Sequence, residues 1–372
     1  MGKRLLVLGI GPSQVDLISA AKDMEMEVFA CARDANGPGR LLVDEFRQID
    51  IMDVGAVTAY AAEKKVHFVF SMGLEGAIPT IANVSDALGL PSFCRVANLP
   101  VLQDKARWRE ALGDMEGNVP YATGRTPEDF THWRKYPAIL KPVDGSGQRG
   151  VYRVNSHKEL ERVFVDAVKH SRKKELLLEE FVEGPEVSVN TFMHKGCLRF
   201  AVISDRISYS EYPGGIIWEH HIPSQVVDDE VEKAIKTLVT EVNRKMGFEN
   251  GHVYFQLKVQ DGSPKLIEFT PRFDGCHMWR LIYESMGIDL RRVALEVLST
   301  GESETLEHAQ YQVPEGNFTL RFISDKPGTV FDQGNYEIPS NPLYLEWYYA
   351  NGDKVKTVTG YLEKVGYIVF KE

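Results

Sequence analysis

The sequence is poor in cysteine, with only Cys31, Cys94, Cys197 and Cys276 among its 372 residues. These four are scattered and form no C-x-x-C pair, so the sequence predicts reduced, mostly buried thiols in a cytoplasmic protein. The sequence also lacks an apolar run long enough to cross a membrane, and its first residues do not have the form of a secretion signal. We therefore expect no membrane partner.

Positive charge is also in deficit, because 43 Lys and Arg residues face 53 Asp and Glu residues and give a formal net charge of -10. This balance argues against a nucleic-acid partner, since binding to a phosphate backbone requires a clustered basic surface. It does not exclude a nucleotide, which requires only one or two well-placed Lys or Arg side chains. The chain is long enough for two or three domains with a substantial core.

Roughly the first 95 residues alternate between strand-like and helix-like segments. Residues 4–10 form a continuous apolar run, which is typical of a parallel strand buried on both faces. A helical pattern follows over residues 14–25, and further strands, including one at 66–72, alternate with another helix. This β-α-β order predicts a small doubly wound sheet.

A glycine-rich turn, Gly9-Ile10-Gly11, leads from the first predicted strand into the first helix. It begins like the dinucleotide fingerprint G-x-G-x-x-G, but Gln14 stands where the third glycine normally lets the helix pack closely on the strand. A tight strand-to-helix turn is therefore the favoured interpretation over NAD binding. A Rossmann oxidoreductase is the weakest of the functional alternatives.

A second glycine-rich segment, residues 144–150, joins two predicted strands in the middle of the chain. Backbone amides around Gly145, Ser146 and Gly147 can converge on an anion, and Lys141 supplies a point charge at the base of the loop. The segment lacks the G-K-[ST] sequence and the following helix of a Walker A motif. It is consistent with a flap that closes over a polyphosphate, and a plain flexible turn is an equal alternative.

The next segment of interest, LLLEEFVEGPEVSV, is an apolar strand that ends at Glu179-Glu180. An adenine ring requires an acceptor for its amine, a backbone N–H donor and apolar walls. An exposed connection between two lobes that carries Glu179, Phe181 and Val182 can offer all three, and Glu186 can accept hydrogen bonds from ribose hydroxyls. The alternative is a solvated acidic turn.

Residues 254–272 read as two strands joined by a turn at 261–264. The two strands are apolar and β-prone, yet each carries a polar residue that could bind a metal, Gln256 on the first and Glu268 on the second. Burying a carboxylate without a partner costs several kcal/mol, about 3–5 in mutational studies, so we expect Glu268 to bind either Mg²⁺ or a buried cation. Arg272 follows and can neutralise a transferred phosphoryl group.

These segments occur in one order along the chain, as DKARWREAL, YPAILKPVDGSGQRGV, LLEEFVEGPEVSV and FQLKVQDGSPKLIEFTPRFDG. In this order the sequence resembles the ATP-grasp superfamily, of the carboxylate–amine ligase type, over roughly residues 1–310. The resemblance implies ATP and Mg²⁺ as cofactors, with Mn²⁺ as an alternative metal. The roles that it implies are phosphate binding by Lys105, Lys141, Gly145, Ser146 and Gly147, adenine contacts by Glu179, Glu180 and Val182, ribose contacts by Glu186, and catalysis by Lys141 and Arg272.

The same resemblance implies a metal site formed by Gln256, Glu268 and Thr270. Gln at the first position is similar to the carbamoyl-phosphate-synthetase-like branch, where many other members have an acid. Thr270 stands where Asn is usual in E-x-N-P-R, and a hydroxyl has a weaker dipole than an amide oxygen. The resemblance therefore implies an intact first metal position, and Thr270 changes a ligand of the second metal position.

The fold implied is mixed α/β, with three parts. A small doubly wound domain occupies residues 1–95, a two-lobed ATP-grasp domain of α+β type occupies 96–310 with a mobile small lobe at about 115–182, and a β-rich element closes the chain at 311–372.

The function implied is an ATP-dependent ligase that joins a small-molecule carboxylate and an amine through an acyl phosphate. A bicarbonate-activating carboxylase and a non-catalytic ATP-binding module are the alternatives. Asp274 and Cys276 lie just beyond Arg272 and are candidates for lining the acceptor pocket, with structural roles as an equal alternative. The first domain and the aromatic C-terminus are both compatible with a homodimer.

Overall fold

The computed structural model describes residues 2–145, 147–212, 215–309, 314–358 and 360–372. The described residues form three sheets, one parallel and two antiparallel, with helices packed on them. This arrangement confirms the mixed α/β fold class.

The first sheet is parallel, with the strand order β3-β2-β1-β4. Leu5 and Val7 of β1 pack with α1 on one face, and Leu6 and Leu8 pack with α2 and α3 on the other. The sheet is therefore doubly wound, as the apolar run at its centre predicts. The elements of this region are β1 (Arg4–Leu8), α1 (Pro12–Asp23), β2 (Glu27–Ala32), β3 (Glu45–Gln48), α2 (Val54–Lys64), β4 (Phe68–Phe70) and α3 (Ile78–Leu88), followed by α4 (Leu99–Leu102) and α5 (Lys105–Leu112).

The second sheet is small and antiparallel, with the order β5-β8-β6-β7. Its apolar face is covered by α6, whose Leu160, Phe164 and Ala167 are buried against it. These elements lie within the range predicted for a small lobe, and the mobility of that lobe stays a prediction. The elements are β5 (Tyr121–Gly124), β6 (Ala138–Pro142), β7 (Tyr152–Val154), α6 (His157–Lys169) and β8 (Leu176–Glu180).

The third sheet has eight strands in the order β13-β12-β9-β10-β11-β14-β16-β15. Helix α7 covers one face, and α8 and α9 cover the other. The elements are β9 (Glu186–His194), β10 (Cys197–Ser208), β11 (Ile217–Ile222), α7 (Asp229–Met246), β12 (Gly251–Gln260), β13 (Ser263–Thr270), α8 (Met278–Met286), α9 (Leu290–Thr300), α10 (Glu304–His308), β14 (Phe318–Asp325), β15 (Tyr344–Trp347) and β16 (Glu363–Lys371).

The aromatic C-terminal strands do not form a sheet of their own. Strand β14 pairs with β11, and β16 pairs with β14, so the last strands extend the same large sheet that contains the β12–β13 hairpin. The predicted C-terminal element is thus continuous with the central sheet, and side chains of β16 can reach the same surroundings as those of β12. In the described part of the chain, no helix is long and apolar enough to span a membrane.

The β12–β13 hairpin forms as the turn residues predict. Asp261 and Gly262 both have positive φ, at 50° and 73°, which is the requirement of a type I′ turn. A bulge interrupts the register after the Gln256–Glu268 pair, because Leu257 pairs with Leu266 instead of the next residue. A bulge re-aims the side chains beside it.

Candidate functional site

Lys105 lies at the start of α5 and connects two distant segments of the chain. Asp104 caps the helix by accepting hydrogen bonds from the Ala106 and Arg107 amides, which fixes the position of the first helical residue. The Lys105 ammonium donates to the Gly145 carbonyl at 2.8 Å and lies 3.2 Å from a carboxylate oxygen of Glu268. The glycine-rich loop and the β12–β13 hairpin therefore meet at one side chain.

The glycine-rich loop is anchored at its first residue. The Asp144 carboxylate accepts hydrogen bonds from the Ser171 hydroxyl at 2.7 Å and from the Lys173 amide at 3.1 Å. Gly147 has a φ of 66°, in the left-handed region that glycine adopts without strain. The loop thus has a fixed entry and a conformation that depends on glycine, and Ser146 lies outside the described residues.

Lys141 extends from β6 into a buried charge cluster. Its ammonium lies 2.5 Å from one carboxylate oxygen of Glu179 on β8, and the other oxygen accepts from Arg109 Nε at 2.8 Å. The side chains of Lys141, Glu179 and Arg109 are 9%, 6% and 0% exposed. Two cations therefore share one carboxylate in a nearly water-free environment.

The environment of this triad lowers the pKa of both Glu179 and Lys141, but for different reasons. Burial raises the pKa of Glu179, but the positive charges of Arg109 and Lys141 outweigh it, so the net pKa is lowered and the carboxylate stays ionised. The pKa of Lys141 is lowered by burial and by repulsion from Arg109 and Lys105, and Glu179 opposes this only in part.

The environment of Glu179 differs from the exposed connection that the sequence predicts. Glu179 lies within β8 and is buried, and both carboxylate oxygens already contact cations. The role of this side chain at the adenine amine stays a prediction, and it now requires the carboxylate to exchange one of these partners. The neighbouring Glu180 pairs with exposed Lys135 at 2.8 Å, and Val182 is buried.

Glu186, at the start of β9, accepts from two side chains on neighbouring strands. Its carboxylate forms an ion pair with Arg206 of β10 and accepts from Gln256 Nε2 of β12 at 2.5 Å. The predicted ribose contact, Glu186, and the predicted metal ligand Gln256 are thus adjacent, because Gln256 pairs with Ser188 near the start of β9. Their roles as ribose and metal contacts stay predictions.

Glu268 is less buried than its apolar segment suggests. Its side chain is 45% exposed, on the open side of the hairpin, and its charge is balanced by Lys105. Desolvation in the cleft raises the pKa of Glu268, but the charges of Lys105 and Lys141 outweigh this effect and lower the net pKa. The carboxylate is therefore ionised and partly open, as a metal ligand must be.

The three predicted metal ligands share one side of the hairpin. Gln256 lies directly opposite Glu268, and Thr270, two residues further along β13, points to the same face as Glu268. A carboxylate, an amide oxygen and a hydroxyl are the hard oxygen donors that Mg²⁺ prefers. In the described part of the chain, no group of three or more His, Cys, Asp and Glu side chains could hold a metal. The metal roles of Gln256, Glu268 and Thr270 stay predictions.

Arg272 lies at the end of the hairpin and reaches the first domain. Its guanidinium donates to the Phe273 carbonyl at 2.8 Å and lies 3.3 Å from a carboxylate oxygen of Glu75. Its Nε is buried and has no hydrogen-bond partner among the described residues. A buried guanidinium nitrogen without a partner is a candidate contact for an anion.

The glycine turn of the first domain is filled by its own side chain. Gln14 Oε1 accepts from the Gly11 amide at 2.9 Å, and Gln14 Nε2 donates to the Met72 carbonyl at 2.5 Å. A pyrophosphate would require that same amide. This arrangement favours the tight-turn interpretation over a dinucleotide site.

Arg109 and Arg206 are absent from the sequence-based site, although each contacts one of its residues. A signal for Arg109 exists, because it follows Lys105 by four positions and so shares the same face of a helix. Arg206 carries no comparable signal, since its relation to Glu186 arises only from the pairing of β9 with β10.

The geometry agrees with the comparison with known protein families. Residues 134–279 match the family model of the ATP-grasp domain. The chain carries an ATP-grasp domain. It includes the glycine-rich loop, the buried triad residues Lys141 and Glu179, and the β12–β13 hairpin.

Individual proteins similar to this chain include the ATP-grasp enzyme fsqD of Aspergillus fumigatus, which is 28% identical over 264 residues, covering 60% of this chain and 44% of that protein. The chain spans about half the length of the first curated relatives that it matches. Among solved structures, it is similar to L-amino acid ligase from Bacillus licheniformis, with a TM-score of 0.81, 20% identity, and coverage of 99% of this chain and 93% of that one. A second is phosphoribosylglycinamide synthetase from Anaerococcus prevotii, with a TM-score of 0.80, 20% identity, and coverage of 100% and 94%. At such identity the likeness shows the ATP-grasp fold.

Proposed function

We propose that the protein is an ATP-dependent ligase that joins a small-molecule carboxylate to an amine and releases ADP and phosphate. The observation that carries this proposal is the position of Lys105, between the Gly145 carbonyl and the Glu268 carboxylate. It brings a loop suited to phosphate next to a strand suited to Mg²⁺. The ATP-grasp domain and the similarity to an L-amino acid ligase support it.

The proposed reaction has two steps. A carboxylate oxygen of the substrate attacks the γ-phosphorus of ATP, the bond from that phosphorus to the bridging oxygen breaks, and ADP leaves. The amine then attacks the carbonyl carbon of the acyl phosphate, the bond to the phosphate oxygen breaks, and the amine gives up a proton. An acyl phosphate hydrolyses in water, so a closing glycine-rich lobe protects the intermediate.

The residues of the cleft divide these tasks by charge. Lys105 and Lys141 bind phosphate oxygens, with the loop amides around Gly145 as neutral donors. Arg272 neutralises the phosphoryl group during its transfer. When bound by Glu268, Gln256 and Thr270, Mg²⁺ supplies further neutralisation of the phosphate charge.

The nucleotide contacts are carried over from the resemblance and are open to test. Glu180 and Val182 contact adenine through their backbone, Glu179 contacts the amine, and Glu186 binds the ribose. An amine acceptor in the protein selects adenine, because guanine has an oxygen at that position. We therefore expect turnover with ATP and much less with GTP, measured as phosphate release at equal concentrations.

The test of the reaction is a screen of carboxylate and amine pairs, scored by release of ADP and phosphate. Hydroxylamine is added to parallel reactions without amine, because it converts an acyl phosphate into a stable hydroxamate and phosphate. We expect a hydroxamate that requires ATP, Mg²⁺ and one carboxylate class. Glu268→Gln should abolish it, whereas Lys265→Gln, on the same strand, should retain it.

Two alternatives give different outcomes in the same screen. ATP hydrolysis stimulated by bicarbonate alone, without a hydroxamate from any other acid, would support a bicarbonate-activating enzyme and contradict the ligase. ATP binding without release of ADP under any condition would support a non-catalytic module. A cytoplasmic location and a homodimer stay predictions, the latter testable by light scattering.

A further inference from the structure

A cluster of charged and polar side chains lies beside the proposed phosphate site and takes no part in the nucleotide, phosphate and metal binding assigned above. It draws on three distant parts of the chain. Asp274 and Cys276 follow the β12–β13 hairpin, Arg206 lies on β10, and Lys364 lies on β16. The Cys276 thiol is within electrostatic range of Lys364, Asp274, Arg206 and also Arg272, so the cluster is next to the residue proposed to act on the transferred phosphoryl group.

Asp274 is a buried carboxylate that the protein satisfies only on one side. Its Oδ1 accepts from the Cys276 amide at 3.1 Å and from the Met278 amide at 3.3 Å, which fixes the orientation of the carboxyl group. Its Oδ2 is shielded from water and has no hydrogen-bond partner among the described residues. A buried polar atom left in this way is costly and calls for a partner. Burial also raises the pKa of Asp274.

Lys364 is the opposite case, a cation without a carboxylate. Its ammonium lies 3.2 Å from the ring centroid of Phe322, and no carboxylate in the described ranges forms an ion pair with it. Arg206 is nearby. Its Nη1 forms an ion pair with Glu186, but its buried Nε has no hydrogen-bond partner in the described structure. The cluster therefore has excess positive charge beside one unsatisfied carboxylate oxygen.

A ligand that satisfies both ends must carry both charges. A phosphate or a simple dianion would pair with Lys364 but would approach the Asp274 carboxylate with like charge. A simple amine would have the converse problem with Lys364. An amino acid, with its ammonium and carboxylate on one small skeleton, can pair with both groups at once.

We propose that Asp274 and Lys364 form the binding site for an amino acid substrate, with Asp274 at its ammonium group and Lys364 at its carboxylate. This inference rests on the proposed ligase function and names its substrate class. An amine held as ammonium by a carboxylate is not nucleophilic, so the amino acid bound here is the partner that contributes its carboxylate. Its carboxylate then lies on the side of Arg206 and Arg272, where the phosphoryl group is transferred.

The site can be tested by binding alone, without turnover. The full-length protein with Mg-ADP is screened by thermal shift and calorimetry against the twenty common L-amino acids and β-alanine. For the amino acid that binds best, the matching acid without the amine and the matching amine without the carboxylate are measured as well. We expect both analogues to bind at least about tenfold more weakly, since each loses a charged hydrogen bond.

Variants assign each end of the ligand to one side chain. Asp274→Asn keeps an oxygen for the Cys276 and Met278 amides. We expect it to weaken binding of the amino acid by about tenfold or more and to leave binding of the acid analogue unchanged. Lys364→Met should weaken binding of the amino acid and of the acid analogue but not of the amine analogue. Lys364→Arg should restore much of the lost affinity. Lys371→Met, near the other end of β16, is the control and should bind as wild type.

Several outcomes would overturn the site. They are the absence of binding by any amino acid in the panel, wild-type affinity in both Asp274→Asn and Lys364→Met, and equal weakening of the acid analogue by Asp274→Asn. If a variant fails to fold, equal binding of the amino acid and both analogues by the wild type overturns it instead. Amino acid binding without ATP turnover would contradict only the ligase, and turnover with carboxylates that lack an amine, without amino acid binding, would contradict only the site.

Discussion

The buried triad predicts an asymmetry between two substitutions that remove one charge each. Glu179→Gln leaves the Arg109 and Lys141 cations buried without an anion, and breaking a buried pair in this way costs about 3–5 kcal/mol of unfolding free energy. Lys141→Met instead leaves Arg109 paired with Glu179 and removes the repulsion between the two cations. This variant loses one charged hydrogen bond, so we expect its unfolding free energy to fall by less than about 2 kcal/mol.

The assay is urea unfolding at pH 7 of the wild type and both variants, with Glu180→Gln as a matched control for stability. Glu180 is the next residue along β8 and pairs with an exposed lysine at 2.8 Å. An exposed pair of this kind contributes about 0–1 kcal/mol. If Glu179→Gln costs no more than Glu180→Gln, or Lys141→Met costs as much as Glu179→Gln, the charge-sharing account is wrong.

The pH dependence provides a second check on the same triad. The pKa of Lys141 in the folded protein lies below its ordinary value, so between these two values the unfolded chain binds more protons and stability rises with pH. Glu179→Gln removes the group that opposes this shift, and we expect the rise to begin at a lower pH than in the wild type. The lowered pKa of Glu179 gives the wild type stability that is present above the ordinary carboxyl pKa and lost as the pH falls through the folded value. The variant should lack that acid-dependent component.

Three further outcomes can be measured. Mg-ATP should raise the melting temperature of the wild type but not of Glu268→Gln, and an equal increase in both would contradict the metal assignment. Asp144→Ala should raise the KM for ATP with little change in melting temperature, because the carboxylate anchors the glycine-rich loop; an unchanged KM would refute this. Gly184→Ala should destabilise the fold by more than about 2 kcal/mol, since its φ is 109° and an added Cβ would lie 2.0 Å from the Val259 carbonyl oxygen; near wild-type urea unfolding would contradict it.

Local chemistry in the sequence was sufficient for much of the fold. The run at β1 predicted a strand buried on both faces, and the Asp261-Gly262 turn predicted the hairpin, because these features depend on neighbouring residues. The break between α8 and α9 also has a local cause, because Gly287 has a φ of 71° and ends the first helix. Glycine in this conformation is a common helix terminator.

The charges of the site depended on tertiary contacts that the sequence does not display. Glu268 was expected to be buried, but the neighbouring strand leaves it partly open and Lys105 balances its charge. Glu179 was expected to be free for a ligand, but Arg109 reaches it from a helix far away in the chain. Which carboxylate is paired and which is open is decided by the packing of α5 between the small sheet and the hairpin.

The position of Lys105 has a consequence for how the binding equilibrium responds to ionic strength. In the structure, its ammonium already neutralises Glu268. If the proposed site is correct, Mg-ATP would bind by exchange, with Mg²⁺ replacing the ammonium at Glu268 and phosphate replacing the carboxylate at Lys105. An exchange of this kind leaves the protein with no fewer internal ion pairs than before. We therefore expect a flatter salt dependence of nucleotide affinity than in a cleft where an unpaired lysine awaits its phosphate.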